Sequence, residues 1–353
     1  MKKLLIAVMV GVLFLPLVGI HAQPALDKEL FVYNWGDYID EEIVRAYETE
    51  FGVRVVYDTY ASNEELFAKI QAGAEYDIIV PSDYMVARLI ELGLLAKIDK
   101  ANVPNAANLD PEAVNAWYDP GAEYCLPYMS GLTALAYSAT LERVPDSWGA
   151  IFDPEQAKYY ADAGGINVLD DQRELIGAAL KYLGYSANET DPAKLAQARD
   201  TILKVLPFYR YINSADYQDT LLPSKEVVLS HSWSGSTAKV AIATNGEWKQ
   251  AIPKEGGLRT QDSMCITAKS PRKMTAEHFM NYIYDAKRAA TISNTIGYLS
   301  ANKAAREFIN PELLNFLPPN DVLKTFEFIR PLPEDARKLW DQTWTEIRAA
   351  AGQ

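Results

Sequence analysis

The sequence predicts a two-lobed α/β protein in which each lobe is a mostly parallel sheet flanked by helices. From residue 30 onward, short apolar segments with strand character alternate with amphipathic segments of helical period, as in helix-covered sheets. The same alternation returns from residue 166. A chain of 353 residues is also longer than one hydrophobic core usually serves, which favours two lobes.

The N-terminal residues predict export from the cytoplasm. Lys2 and Lys3 precede an apolar run from Leu4 to Ile20, and the small-residue site Ile20-His21-Ala22 follows. We therefore expect a signal peptide at residues 1–22 that is cleaved. The alternative is an uncleaved anchor, but the run falls slightly short of the ~20 residues of a span, and no stop-transfer segment follows it.

Cap and turn residues mark the first elements of lobe one. A strand is predicted from Leu30 to Asn34, and the helix after it has Asp40 as its N-cap and ends at Gly52. The next elements are a strand from Val53 to Thr59, a helix from Ser62 through Ile70, a strand from Tyr76 to Val80 and a helix from Asp83 to Leu92.

The second half of the chain repeats these patterns. Its predicted elements are strands at Ile166 to Leu169, Val227 to His231 and Ser263 to Ala268, and helices at Gln172 to Leu183, Ala193 to Leu206, Thr275 to Ala289 and Glu334 to Ala350. Pro- and Gly-marked stretches at Pro120 to Gly131 and Pro253 to Gly257 predict the crossings between lobes. Lobe one is then 26–132 plus 260–306, and lobe two is 133–259 plus 307–353.

The charge balance narrows the class of partner. The net charge is −13, which argues against nucleic acid and anionic lipid and suits a cationic ligand.

Cys125 and Cys265 lie far apart in apolar segments. Two buried free thiols are the favoured interpretation, and a disulfide is the alternative if the two strands meet in an oxidising compartment. No metal site is predicted, because none of His21, His231 and His278 is spaced to join a cysteine.

Aromatic and acidic side chains follow the predicted strands, where open α/β sheets bind their ligands. These candidates are Trp35, Asp37, Tyr38, Ser82, Tyr84, Asp171, Glu174, Trp233, Asp262 and Tyr298. Each has a structural alternative: Asp171 and Glu174 have capping-box spacing, the tryptophans are compatible with a core, and Asp262 with a turn.

The combination nevertheless matches the chemistry of a linear polyamine. Its ammonium groups favour carboxylates, at ~1.5–3 kcal/mol for each charged hydrogen bond. Its methylenes favour flat apolar walls, at ~0.8 kcal/mol per CH₂, and aromatic rings add ~0.5–2 kcal/mol of cation–π attraction. An enzyme is not expected, because no nucleophile elbow, H-E-x-x-H motif or phosphate-binding glycine loop is present.

Several phrases of the sequence resemble the periplasmic spermidine/putrescine-binding proteins of ABC importers. They are Tyr33-Asn34-Trp35-Gly36-Asp37-Tyr38, Tyr60-Ala61-Ser62-Asn63-Glu64, Tyr76-Asp77-Ile78-Ile79-Val80-Pro81-Ser82, Leu126-Pro127-Tyr128, Pro253-Lys254-Glu255-Gly256-Gly257 and Thr295-Ile296-Gly297-Tyr298. The resemblance spans nearly the whole mature chain in the same order. It implies the type II periplasmic binding protein fold, with two lobes joined by hinge strands that close on a ligand.

The resemblance also implies roles for the candidates in lobe one. Trp35 and Tyr38 would flank the ligand, and Asp37 would hold an amine, as in putrescine-preferring members. Ser82 and Tyr84 would add polar and aromatic contacts.

The remaining candidates have implied roles as well. Asp171 and Glu174 would hold amines from lobe two, and Trp233 would stack on the methylenes. Asp262 would pair with an amine, and Tyr298 would close the site.

Two positions depart from the family pattern and leave the choice between spermidine and putrescine open. Thr260 stands where an aromatic residue is frequent, and Arg330 stands where spermidine binders carry a glutamine. Asp37 follows the putrescine type, and Ser236 follows the spermidine type.

The resemblance implies a monomeric periplasmic protein that captures a polyamine, needs no cofactor and delivers its ligand to ABC permease subunits. The alternatives are the same fold with another solute, such as an amino acid or a metal ion, and a polyamine sensor or adhesion protein without a transport role.

Overall fold

The computed structural model describes residues 25–352, so the predicted signal peptide at residues 1–22 lies outside the described part. The strands are β1 (Glu29–Trp35), β2 (Arg54–Tyr60), β3 (Ile78–Ile79), β4 (Leu95–Ala96), β5 (Cys125–Ser138), β6 (Ile166–Val168), β7 (Tyr209–Ile212), β8 (Leu229–Trp233), β9 (Trp248–Ala251), β10 (Leu258–Thr267), β11 (Leu299–Ser300) and β12 (Glu327–Phe328).

Helices cover these strands. They are α1 (Glu41–Phe51), α2 (Asn63–Gln71), α3 (Asp83–Glu91), α4 (Pro111–Val114), α5 (Gly149–Phe152), α6 (Pro154–Ala163), α7 (Gln172–Tyr182), α8 (Pro192–Val205), α9 (Ser234–Ala243), α10 (Lys273–Ile283), α11 (Ala286–Ile296), α12 (Pro311–Leu314), α13 (Asn320–Leu323) and α14 (Glu334–Ala350). Among residues 25–352, no helix has the length and apolarity needed to cross a membrane.

Two groups of strands form the sheet platform. In the first, β1 pairs in parallel with β2 and β3, and β10 joins antiparallel to β3, β4 and β5. In the second, β6 pairs in parallel with β7 and β8, and β5 pairs antiparallel with β8 and β9. The predicted α/β class is confirmed. The antiparallel strands β10 and β5, which lie between the two parallel groups, were not predicted.

Strand β5 connects the two groups. Its residues 125–132 pair with β10, and its residues 133–137 pair with β8. One continuous strand therefore passes from the first group into the second. This arrangement forms two lobes with the carboxyl ends of their parallel strands facing each other.

Local sequence explains where the helices begin and end. The Asp40 side chain accepts from the N–H groups of Glu42 and Ile43 at the start of α1, and Gly52 ends the helix at φ 67°. The prediction of a single helix from Thr275 to Ala289 is wrong. The chain breaks after α10 because Asp285 caps a new helix, α11, by accepting from two N–H groups.

The cysteines form a disulfide, which corrects the favoured prediction of free thiols. Cys125 on β5 lies directly opposite Cys265 on β10 in the antiparallel register, and their Cα atoms are 4.3 Å apart. Spacing along the chain gave no sign of this, because the two residues are 140 positions apart. Only the pairing of β5 with β10 brings the sulfur atoms together.

Candidate ligand-binding site

A cavity of about 60 Å³ lies between the two lobes, at the carboxyl ends of the parallel strands. All ten side chains selected from the sequence line it: Trp35, Asp37, Tyr38, Ser82, Tyr84, Asp171, Glu174, Trp233, Asp262 and Tyr298. The rule that ligands meet strand ends therefore selected residues that the fold gathers at one place. Whether each contacts a ligand stays a prediction.

Asp262 is the best-braced carboxylate of the cavity. Tyr38 donates its hydroxyl to Oδ2 at 2.6 Å, and Ser82 donates its hydroxyl to Oδ1 at 2.6 Å. Asn63 in turn donates its side-chain amide to the Ser82 hydroxyl at 3.0 Å. Burial raises the pKa of Asp262 to about 6, although the two hydroxyl donors act in the opposite direction. A cation placed beside this carboxylate would favour its charged form.

Glu174 has one oxygen without a hydrogen-bond partner. Trp233 donates its indole N–H to Oε1 at 3.1 Å, whereas Oε2 is buried and has no partner among the described residues. Burial raises the pKa of Glu174. A buried acceptor without a donor is costly, so a ligand N–H group beside Oε2 would be favourable.

Asp171 combines a structural role with its place in the cavity. Its Oδ1 accepts from the backbone N–H groups of Arg173 and Glu174, which caps α7. The capping alternative is thus correct for Asp171. Burial, followed by the charges of Glu64 and Glu174, raises the pKa of this carboxyl group. The carboxylate also offsets the positive end of the α7 dipole, which would otherwise disfavour a cation.

Aromatic rings from both lobes form the walls of the cavity. Trp35 and Trp233 meet edge to face with their ring centroids 6.1 Å apart. Tyr38 and Tyr298 meet in the same way at 4.8 Å. The Tyr298 hydroxyl also lies 3.2 Å from the Ser236 hydroxyl on α9. The rings therefore enclose a narrow space with apolar faces.

Two glycines make room for Tyr298. A Cβ atom at Gly235 would lie 2.1 Å from the Tyr298 ring, and one at Gly297 would lie 2.2 Å from the Gly235 carbonyl oxygen. Gly297 also has φ +83°, which side-chain-bearing residues rarely adopt. The close approach of these two backbones seats the Tyr298 ring over the start of α9.

Asp37 has a cationic partner within the protein. Lys239 on α9 hydrogen-bonds to Oδ2 of Asp37 and also lies 2.9 Å from Oδ1 of Asp219. Asp37 itself has φ 52°, a left-handed backbone conformation. Burial raises the pKa of Asp37, and the bond to Lys239 opposes that shift.

Arg173 is the basic group in the lining of the cavity. It is buried, donates to the backbone oxygen of Arg330 at 3.1 Å and to Asn188 at 2.9 Å, and lies over the Tyr84 ring at 5.2 Å. These contacts hold the guanidinium beside the C-terminal segment. Burial lowers the pKa of Arg173.

Thr260 and Arg330, the two positions that depart from the family pattern, lie differently with respect to the cavity. Thr260 lines the cavity, so the small side chain leaves that wall without a ring. Arg330 is exposed and lies over the Trp117 ring at 4.0 Å, whereas its neighbour Ile329 lines the cavity. The arginine side chain therefore does not face the site, and an aliphatic residue does.

Sequence reasoning missed other residues at the cavity. Tyr60 and Asn63 also line it, and because Tyr60 is the last residue of β2 and Asn63 comes three residues later, the strand-end rule applied to β2 would have found them. Gln218 and Lys239 gave no local signal, since only the tertiary fold brings them to the cleft. In the described part of the chain, no group of three or more His, Cys, Asp or Glu is arranged to hold a metal ion.

Comparison with known sequences identifies relatives over the full length. The putrescine/cadaverine-binding protein of Pseudomonas aeruginosa is 33% identical over 361 residues, which cover 99% of both chains. The spermidine/putrescine-binding periplasmic protein of Escherichia coli is 32% identical, with 96% of each chain covered.

Solved structures similar to this chain include proteins of the same kind as these relatives. A Listeria monocytogenes protein ascribed to a spermidine/putrescine ABC transporter has a TM-score of 0.84 at 30% identity, covering 91% of this chain and 99% of that one. The spermidine/putrescine substrate-binding protein of Streptococcus pneumoniae has a TM-score of 0.72 at 26% identity, covering 92% and 100%. The predicted type II periplasmic binding protein fold is confirmed.

Residues 42–314 match the family model described as bacterial extracellular solute-binding protein. This match covers most of the chain and agrees with the full-length relatives. The chain therefore belongs to the family of bacterial extracellular solute-binding proteins.

Proposed function

We propose that this chain is a polyamine-binding protein that captures a linear, protonated amine between its lobes and delivers it to an ABC importer. One observation carries the proposal: four carboxylates and a pair of tryptophans converge on one narrow cavity. These residues are Asp37, Asp171, Glu174, Asp262, Trp35 and Trp233. Full-length relatives with names that specify putrescine, cadaverine or spermidine support it.

The ligand would be held at its charged ends and along its chain. An ammonium group beside Asp262 and the free Oε2 of Glu174 would donate two charge-assisted hydrogen bonds to these carboxylates. The methylenes would lie against Trp35 and Trp233. A few such contacts reach the ~−8 kcal/mol of a micromolar complex.

The lobes would act by closing around the ligand. We assign residues 26–132 plus 260–306 to lobe one and 133–259 plus 307–353 to lobe two. The change of partner strand along β5, between residues 132 and 133, supports this division. Closure would bring Trp233 and Glu174 of lobe two against Trp35 and Asp262 of lobe one.

The same proposal covers location and partners. The signal peptide at residues 1–22 would be removed, and the mature chain would act as a monomer in the periplasm without a cofactor. Its partners would be the amine and the permease subunits of the importer. Capture and release need no bond chemistry, so we propose no catalytic residue.

A titration of the purified mature chain tests the proposal. Putrescine, spermidine, an amino acid and a sugar would be added while tryptophan fluorescence is recorded. The two amines should change the fluorescence at micromolar concentration, since Trp35 and Trp233 line the cavity. A response to the amino acid or the sugar alone would rule the proposal out.

A further inference from the structure

A carboxylate that lines the cavity is already paired with a cation of the protein itself. Lys239 extends from the second turn of α9 in lobe two and contacts the carboxylate of Asp37, which follows β1 in lobe one. Its other partner is Asp219, at 2.9 Å. The Lys239 and Asp37 side chains are only 24% and 30% exposed, so this ion pair is better shielded from solvent than a typical surface pair.

Asp37 is the only member of this ion network that lines the cavity, and its charge is neutralised from outside. The carboxylate is hydrogen-bonded by Lys239, which does not itself line the cavity. A ligand ammonium beside Asp37 would therefore also approach the Lys239 ammonium. Repulsion between like charges at short range weakens such a site unless a further anion compensates.

The acceptor that stays open beside this ion network is neutral. Gln218 is buried and donates its side-chain amide to Asp219 at 3.2 Å, which fixes the orientation of its amide group. Gln218 lines the cavity, and its Oε1 is buried and has no hydrogen-bond partner among the described residues. A neutral carbonyl oxygen accepts one N–H group without demanding a full positive charge.

Lys239 changes which carboxylates remain for a ligand. Of the four lining carboxylates, Asp37 is paired with Lys239, whereas none of Asp171, Glu174 and Asp262 has an ion-pair partner among the described residues. Asp37 is therefore the carboxylate that is least available to a further ammonium group of the ligand.

We infer that Lys239 is a specificity-determining residue: its ammonium group neutralises Asp37 and makes the site select a linear diamine over a triamine. This inference rests on the proposed function, because it specifies the amine that the same cavity prefers. Lys239 also joins the two lobes, so its removal affects closure for every ligand. Only the ratio of two affinities separates selection from closure.

The test compares the dissociation constants for putrescine and spermidine by calorimetry in three chains. They are the wild type, Lys239→Met and the control Lys249→Met, which removes the same charge from an exposed position on β9. The wild type should prefer putrescine. Lys239→Met should shift the affinity ratio toward spermidine by at least about tenfold, and the control by less than about twofold.

A second substitution identifies the group that Lys239 neutralises. This substitution is Asp37→Asn, which removes the charge of the carboxylate that Lys239 contacts. In the Lys239→Met background, the same change should cancel the gain for spermidine, since a freed Asp37 carboxylate is what receives the third ammonium.

Two results would overturn the inference. One is a wild-type preference for spermidine, and the other is an equal change in both affinities on Lys239→Met, which would make Lys239 only a contact between lobes. If the wild type binds neither amine, the proposed function fails and the inference fails with it. Binding of both amines with an unaltered ratio would remove the inference alone.

Discussion

Trp233 donates its indole N–H to Glu174 at 3.1 Å, so an aromatic wall of the cavity is fixed by one of its carboxylates. Glu174 lies on α7 and Trp233 ends β8, and Trp35 at the end of β1 meets the Trp233 ring at 6.1 Å. The Trp35 indole instead donates at 2.9 Å to the carbonyl oxygen of Val80, which follows β3, the strand paired with β1. The two tryptophans therefore differ in what they hold in place.

This difference predicts unequal effects of substitution. Trp233→Phe removes a wall and the donor to Glu174, and should weaken putrescine binding by about 10–30-fold, the equivalent of ~1.4–2 kcal/mol. Trp35→Phe leaves the bond from Trp233 to Glu174 in place and should weaken putrescine binding by only about threefold. Calorimetry would measure both, with Trp344→Phe on α14 as the matched control outside the cavity. Equal losses for the two variants would show that the bond to Glu174 has no role in binding.

Neutralising Asp262 should weaken binding more than neutralising any exposed carboxylate. Asp262→Asn keeps the shape that Tyr38 and Ser82 brace, but removes the charge that would receive an ammonium group. We expect putrescine affinity to fall at least tenfold, about 1.4 kcal/mol. Calorimetry against Asp162→Asn, an exposed change on α6, provides the control. Unaltered affinity would leave Asp262 with a structural role only.

The raised pKa of Asp262 predicts a pH dependence of binding. Burial raises this pKa to about 6 in the unliganded chain, and a bound ammonium favours the charged form. Affinity should therefore fall about tenfold from pH 7 to pH 5 through this group alone. Calorimetry at several pH values would follow it, and Asp262→Asn should flatten the profile. Affinity that is constant or increases toward pH 5 would contradict this assignment.

Stability of the unliganded chain should respond in the opposite sense. Because the folded-state pKa of Asp262 is raised, this group contributes stability that is fully present below its unfolded pKa of about 4. That contribution is lost as the pH increases through about 6. Comparison of wild type with Asp262→Asn by denaturant unfolding at pH 4 and pH 7 would isolate it. If the wild type became more stable relative to the variant between pH 4 and pH 7, the prediction would be wrong.

The disulfide should stabilise the chain without affecting the ligand. Cys125 and Cys265 are buried between β5 and β10 and do not line the cavity. The double change of both residues to alanine should lower the free energy of unfolding by about 2–4 kcal/mol, because the bond closes a long loop. Putrescine affinity below the unfolding transition should stay the same. Denaturant unfolding of the oxidised and the reduced wild type provides a second test. Coincident unfolding curves would contradict a stabilising role of the disulfide.

The fold and the location of the site followed from local patterns in the sequence. Asp40 and Gly52 bound α1 as predicted because caps are set by residues within one helical turn. Trp35, Ser82 and Trp233 were found because strand ends can be located from apolar runs and their stops. Parallel strands then bring such ends to one edge.

What the sequence did not reveal depends on contacts between distant residues. The pairing of Cys125 with Cys265 requires β5 and β10 to be antiparallel neighbours, which no periodicity encodes. The contact between Asp37 and Lys239 requires the two lobes to face each other across 202 positions of the chain. The break between α10 and α11 was missed for a local reason: the apolar period continues past Asp285, although that residue caps a new helix.

A crystal structure of the mature chain with a bound amine tests the central claim most directly. The account predicts an ammonium nitrogen within about 3 Å of the carboxylates of Asp262 and Glu174, with the methylenes between Trp35 and Trp233. An amine bound outside this cavity, or a different class of solute retained in it from expression, would contradict the account.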